Sequence, residues 1–190
     1  MKPALILSMS VLLAACQQQQ PSPKAEPQAP QAAEAEPAAA KPGFDRSHAG
    51  RPAPALALET NPDGATETIA DILRANPGRK LLVNLWATWC APCLKELPTL
   101  DTLAADTKGK LLVVPISQDM EGWRAVSKAF TADRYPNLET RVESGMQFGF
   151  ELKAKGLPLT ILYDEKGQEV WRYAGDRDWA SPESRAMLGL

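Results

Sequence analysis

Cysteine and histidine are scarce in this chain: three cysteines and one histidine in 190 residues. A structural zinc site takes four such ligands. His48 lies in a linker-like stretch far from the cysteines, and only one Cys-x-x-Cys pair occurs. The ligand count disfavours zinc, and no metal or other cofactor is expected. Charge of one sign is lacking too. Lys and Arg number 21 against 23 Asp and Glu, a net charge of −2 at pH 7. That balance gives no basic field for nucleic acid and no strong acidic one. No Gly-rich phosphate loop and no basic aromatic stripe appears. The apolar run over residues 4–13 is too short to span a bilayer as a mature helix.

The N-terminus reads as a targeting segment. Lys2 supplies a positive start, the short apolar run follows, and Leu13-Ala14-Ala15-Cys16 closes it. That tetrapeptide resembles the lipobox of bacterial lipoproteins, in which the cysteine is acylated and becomes the first mature residue. The resemblance implies a signal segment at 1–15, lipidation at Cys16, a membrane anchor, and a mature chain with only Cys90 and Cys93. An ordinary secretory signal beside a chance cysteine is the alternative. Residues 16–48 hold Gln17-Gln18-Gln19-Gln20 and then repeated Pro, Ala and Glu. This composition cannot bury enough apolar surface to offset ordering entropy, so it is expected to be a tether. A flexible tether of that length spans on the order of 30 Å.

The remaining residues, 49–190, have the length and composition of one globular domain, with 44% hydrophobic and 23% charged residues over the whole chain. The apolar run over 81–86 reads as a buried strand, and Trp89-Cys90-Ala91-Pro92-Cys93 follows it directly. A Cys-x-x-Cys pair where a strand runs into a helix is a reversible dithiol–disulfide switch. At the first turn of a helix, Cys90 faces unpaired N–H groups and the positive end of the helix dipole. Both favour its thiolate, the form that attacks disulfides. Cys90 is therefore assigned as the exposed nucleophile. Cys93, about one turn on, is placed to resolve the mixed disulfide. Pro92 suits a first turn, where a missing N–H costs little. A purely structural bridge is the weaker reading, since so short a loop constrains little of the unfolded chain. A peroxidatic cysteine is also disfavoured, because the Thr-x-x-Cys of peroxiredoxins is absent.

Coarse patterning predicts a leading segment of alternating apolar residues at 52–58 and a short helix over 68–75. A helix over 90–105 is kinked by Pro98, and a buried strand over 111–117 is weakened by Pro115. Helices over 121–132 and 145–152 follow. A strand over 159–163 turns at 164–167 into a partner strand over 169–173. Ser181-Pro182 opens a terminal helix. The order predicts an α/β fold with a mixed central sheet flanked by helices.

With these motifs placed, residues 50–179 resemble the TlpA/ResA branch of the thioredoxin superfamily. The likeness rests on Leu85-Trp86-Ala87-Thr88-Trp89-Cys90-Ala91-Pro92-Cys93, on Lys95-Glu96-Leu97-Pro98, and on Gly156-Leu157-Pro158-Leu159-Thr160. It implies a thioredoxin-like fold and a membrane-attached, periplasmic thiol–disulfide oxidoreductase. It implies a cis Pro158 beside the cysteines that also keeps metal ions off the dithiol; a trans proline opening a strand is the alternative. It implies that the backbone of Leu157 meets a bound client strand, with Trp89, Ala91 and Pro92 as further client contacts. Glu96 stands three residues after Cys93, where this branch often carries an acid. A partly buried carboxylate there takes the Cys93 proton; an exposed helix charge beside Lys95 is the alternative. Asn84 stands where thioredoxin itself has a buried aspartate. Asn cannot titrate, and this raises the weight on Glu96. Trp86, Trp171 and Trp179 read as packing.

Ala91-Pro92 offers no charged group to stabilise an extreme thiolate, so the pair leans toward a reductant. Outside the cytoplasm a reductant needs an electron supply. The resemblance implies a membrane thiol transporter as donor. It implies client proteins with disulfides, such as apocytochrome c or copper-site proteins, as acceptors. A redox-sensitive binding module, or a disulfide-forming oxidase or peroxidase, are the competing functions.

Overall fold

The computed structural model describes residues 43–189. The expected signal segment, Cys16 and the tether up to residue 42 lie outside them. The described elements are β1 (Gly43–Asp45), β2 (Leu58–Glu59), β3 (Thr66–Glu67), α1 (Ile69–Ala75), β4 (Lys80–Trp86), α2 (Ala91–Asp106), β5 (Leu111–Ser117), α3 (Trp123–Ala129), β6 (Arg141–Val142), α4 (Gln147–Glu151), β7 (Leu159–Tyr163), β8 (Glu169–Ala174) and α5 (Pro182–Leu188).

These strands form one mixed sheet in the order β1-β8-β7-β4-β5-β6-β2-β3. Strands β4, β5 and β6 run parallel, and β7 lies antiparallel on the other side of β4. The alternation of a strand sorts the side chains of β4. Leu81, Val83 and Leu85 enter one apolar layer with Ile69, Ile72 and Phe148 of α1 and α4. Leu82 and Trp86 enter the other, with Leu97, Leu100 and Leu103 of α2. Asn84 lies between Leu82 and Trp86 on that second face.

Several boundaries differ from the sequence expectation for physical reasons. Residues 43–45 were assigned to the tether, yet they form an edge strand paired with residues 172–174 of β8. Phe44 explains it: the ring packs on Trp171 and Tyr173 at 5.0 and 4.9 Å. This pairing also carries β8 one residue past Tyr173. Helix α3 is shorter than expected. It starts after Gly122, whose φ is +57°, and ends where Phe130 turns onto Trp86 and Tyr135. Helix α4 is held to five residues by left-handed backbone at Met146 before it and Lys153 after it. Pro115 sits in β5 without loss, because β5 meets β6 only from Ile116 onward. Helix α2 runs on through Pro98.

Leu100 is fully buried between α2 and the sheet. Leu100→Ala is expected to cost about 3 kcal/mol. Urea unfolding should show a lower midpoint at an unchanged slope.

Candidate active site

Strand β4 delivers the chain to the site. After Trp86 it turns, and Cys90 becomes the cap residue of α2, with extended backbone and its sulfur accepting the Cys93 N–H at 3.3 Å. Cys90 and Cys93 are joined as a disulfide, with their Cα atoms 5.3 Å apart. No acidic residue occupies the first turn of α2, so the helix end keeps its positive character toward Cys90. Ala91 and Pro92 open the helix and are exposed. Trp89 is 64% exposed. Cys90, expected to be exposed, is only 5% exposed, and Cys93 is fully covered. Of the two cysteines Cys90 is thus the more accessible, though only slightly.

The loop before Cys90 is fixed by a residue that sequence reading missed. The buried Asp119 carboxylate accepts the Thr88 N–H at 2.9 Å, the Thr88 hydroxyl at 2.6 Å and the Ser117 hydroxyl at 2.7 Å. This ties the end of β5 to the turn that carries Trp89. Nothing short of the β4–β5 pairing reveals that contact, since Thr88 and Asp119 lie 31 residues apart.

Glu96 is not an exposed helix charge. The buried residues of α2 are Cys93, Glu96, Leu97, Leu100 and Leu103. Their spacing of three and four places Glu96 inside the core-facing stripe, one turn beyond Cys93. Glu96 is 2% exposed. Its Oε1 accepts from Asn84 Nδ2 at 2.6 Å, and its Oε2 accepts from the Trp179 indole at 3.0 Å and the Arg177 N–H at 3.1 Å. Asn84 Nδ2 also donates to the Thr160 hydroxyl at 3.0 Å. Burial penalises the charged carboxylate more than these three donors favour it. Its pKa is pushed up to about 7, and the nearby Asp176 adds to the rise. Trp179 is therefore more than packing. Trp86 and Trp171 lie in the core as expected.

The Leu157–Pro158 peptide is cis, and Pro158 is buried at the start of β7. Because Leu85 pairs with Leu159, that peptide lies beside the end of β4. A cavity of about 270 Å³ opens there, lined by Trp89 and Leu157 together with Gln118, Met146, Phe150 and Lys153. The wall is mostly apolar, and the large exposed hydrophobic side chains of the described residues are Trp89, Met120 and Phe150. Sequence reading found Trp89 and Leu157 and placed a helix over 145–152, but it missed that this helix lines the cavity, a contact between distant residues. Among the described residues no cluster of His, Cys, Asp or Glu could hold a metal ion, and no helix is long and apolar enough to cross a membrane.

A mixed sheet, a Cys-x-x-Cys pair capping its central helix and a cis-proline at the adjoining strand define a thioredoxin-like redox domain. Residues 48–188 match the Redoxin family model, and the chain belongs to that family. It is similar to the thioredoxin-like protein YneN of Bacillus subtilis, 31% identical over 62% of this chain and 66% of that protein. It is also similar to the thiol:disulfide interchange protein DsbE of Pseudomonas fluorescens biotype C, 34% identical over 66% of each. A third relative is the thiol:disulfide interchange protein HelX of Rhodobacter capsulatus, 31% identical over 67% of this chain and 68% of that one. The chain thus spans about two thirds of the length of these relatives. The thio-disulfide isomerase of Thermus thermophilus shares the fold at a TM-score of 0.57 and 23% identity, over 74% of this chain and 93% of that one. StoA of Bacillus subtilis shares it at 0.52 and 22%, over 66% and 92%.

The raised Glu96 pKa has a consequence for stability. The unfolded carboxyl loses its proton near 4.5 and the folded one near 7. Across that window the native state binds more protons, so stability falls as pH rises. Between pH 4.5 and 7 the expected loss from this group is on the order of 3 kcal/mol. Denaturant unfolding of the oxidised protein at stepped pH should show it, and Glu96→Gln should flatten that slope.

Proposed function

We propose that this protein is a thiol–disulfide oxidoreductase that reduces disulfides of client proteins. The observation that carries the reading is Cys90 at the cap of α2, bonded to a covered Cys93, with a buried carboxylate one turn behind. Two of the relatives named above are thiol:disulfide interchange proteins, which supports thiol–disulfide exchange as the chemistry.

In the reduced protein the Cys90 thiolate attacks one sulfur of a client disulfide. The client S–S bond breaks, the Cys90–client bond forms, and the leaving client sulfur takes a proton. Glu96 in its carboxylate form takes the Cys93 proton. The Cys93 thiolate then attacks the Cys90 sulfur, forming the intramolecular disulfide and releasing the second client sulfur as a thiolate. The client gains two electrons and the protein becomes oxidised, the state seen here. A carboxyl titrating near 7 is matched to that transfer at neutral pH. Pro158 bounds the site beside β4. Trp89, Ala91, Pro92 and Leu157 form the surface that meets the client, and the cavity shared by Trp89, Leu157 and Phe150 seats an apolar client side chain.

Redox poise and place complete the reading. The uncharged Ala91-Pro92 pair supports a reductant, recharged by a membrane thiol transporter. The lipobox-like segment supports a lipid anchor at Cys16 on the periplasmic side of a bacterial membrane. Apocytochrome c and copper-site proteins are the client classes to test first.

Insulin reduction with dithiothreitol should show turnover, and Cys93→Ser should accumulate a client joined through Cys90 while Cys90→Ser traps none. A Cys90–Cys93 potential near −270 mV fits a reductase, whereas one near −120 mV would make the protein an oxidant and overturn the stated direction. Glu96→Gln should remove the limb near pH 7 from the rate of mixed-disulfide resolution; an unchanged profile would leave Glu96 without a catalytic part. Phe150→Ser should raise KM for an unfolded protein client more than it lowers kcat, read from initial rates.

A further inference from the structure

Two of the three donors that hold Glu96 come from one short segment, the connection between β8 and α5 that carries Arg177 and Trp179. What fixes that segment fixes the carboxylate. On the α2 side it is tied by Thr99, whose hydroxyl accepts the Trp179 N–H at 3.0 Å. The Lys95–Asp176 ion pair also reaches it at 3.1 Å, but both side chains are well exposed, and such pairs hold little. On the opposite side the support is aromatic. Trp179 stacks on Trp171 with the planes 3° apart, and meets Tyr173 edge-on at 5.8 Å. The Arg177 guanidinium lies over the rings of Phe44 and Tyr173 at 5.3 and 5.4 Å. Phe44 closes this group, touching Trp171 edge-on and Tyr173 at a tilt. It is the middle residue of the three-residue edge strand β1. A phenyl ring donates no hydrogen bond to the carboxylate, so any effect on Glu96 must pass through Arg177 and the other rings.

We infer that β1, through Phe44, is a positioning element for Glu96: it clamps the Arg177–Trp179 segment so that its two N–H groups and its indole cover keep the carboxylate dry. The inference deepens the proposed role of Glu96, and on that role rests its meaning for catalysis. Removing the ring leaves a gap beside Trp171 and Tyr173 and takes away one of the two rings under the Arg177 guanidinium, whose Nε remains bonded to Ser184 Oγ at 2.7 Å. Water then reaches the carboxylate through that gap. The polar and charged groups facing Glu96 are Asn84 from β4, with Thr160 of β7 behind it, and Asp176, the Arg177 N–H and the Trp179 indole from the β8–α5 connection, with Cys93 one turn back on α2. Burial is the largest influence on this carboxyl, so its partial loss outweighs the loss of the two donors.

The test uses the oxidised protein labelled with nitrogen-15. The Trp179 indole N–H, bonded to Glu96, reports the titration of that carboxyl directly. In the wild type its resonance should move with a midpoint near 7. In Phe44→Ala the midpoint should fall by about one pH unit, a tenfold change in the acid constant. The Trp86 indole resonance, bonded to Thr140, should stay in place and show that the fold is kept. Phe44→Tyr should restore the wild-type midpoint. Should Phe44→Ala not fold, Phe44→Leu keeps the edge strand apolar without a ring and should show the same fall. A folded variant without the ring that titrates at the wild-type midpoint would overturn the inference. No turnover is measured, so a catalytically idle Glu96 would sink the proposed proton transfer without touching this result.

Discussion

A carboxylate inside an apolar helix stripe must be either neutral or well partnered. Glu96 is held between these two demands. It shares the core-facing side of α2 with Leu97, Leu100 and Leu103, which takes it out of water. Three donors from two parts of the chain, Asn84 of β4 and Arg177 and Trp179 of the β8–α5 connection, offset part of that cost. Each donor makes demands of its own. Asn84 needs the alternation of β4 that turns it toward α2. Arg177 and Trp179 need the connection after β8 folded down over the helix, which draws in Trp171, Tyr173 and Phe44. The site is therefore coupled to the far edge of the sheet by packing, with Glu96 as the group that feels the result.

The same constraint gives the two bonded sulfurs different surroundings. Cys90 sits at the helix end, where the dipole and the free N–H groups act on it and where Trp89 and the cis-proline peptide leave an opening. Cys93 sits one turn inside, fully covered, on the side of the helix that continues to Glu96. In the proposed reaction the outer sulfur meets the client and the inner one releases it. The buried Asp119 carboxylate adds rigidity by holding Thr88, so the turn that carries Trp89 into the cavity shared with α4 is fixed by hydrogen bonds.

Much of this was legible in the chain because it is written locally. The apolar run of β4, the cysteine pair at a helix start, the Asp164 turn and the Ser181-Pro182 start each signal their structure within a few residues. Glu96 was half legible: its place after Cys93 reads as a partly buried carboxylate, and it is buried, but the donors that hold it lie far along the chain. What stayed hidden depends on contacts between distant residues. Phe44 bonds to a strand about 130 residues away and sits in a Pro- and Ala-rich stretch that reads as tether. Trp179 looked like packing because nothing near it in sequence shows the carboxylate 83 positions earlier. The helix expected over 145–152 is present, but its shorter length and left-handed flanks are set by tertiary packing that overrides propensity.

Asparagine at position 84 follows from the same physics. Its amide lies 2.6 Å from Glu96 Oε1. A carboxyl in that place would set two acids within hydrogen-bond distance in a dry site, and they would share one proton and titrate as a pair. The amide instead donates without titrating, leaving a single proton to be gained or lost beneath Cys93. A buried glutamate opposite an asparagine is a one-proton device, and its working range is set by how dry the surrounding aromatic group keeps it. Chemistry at the sulfur and packing at the sheet edge are in this sense one property of the fold.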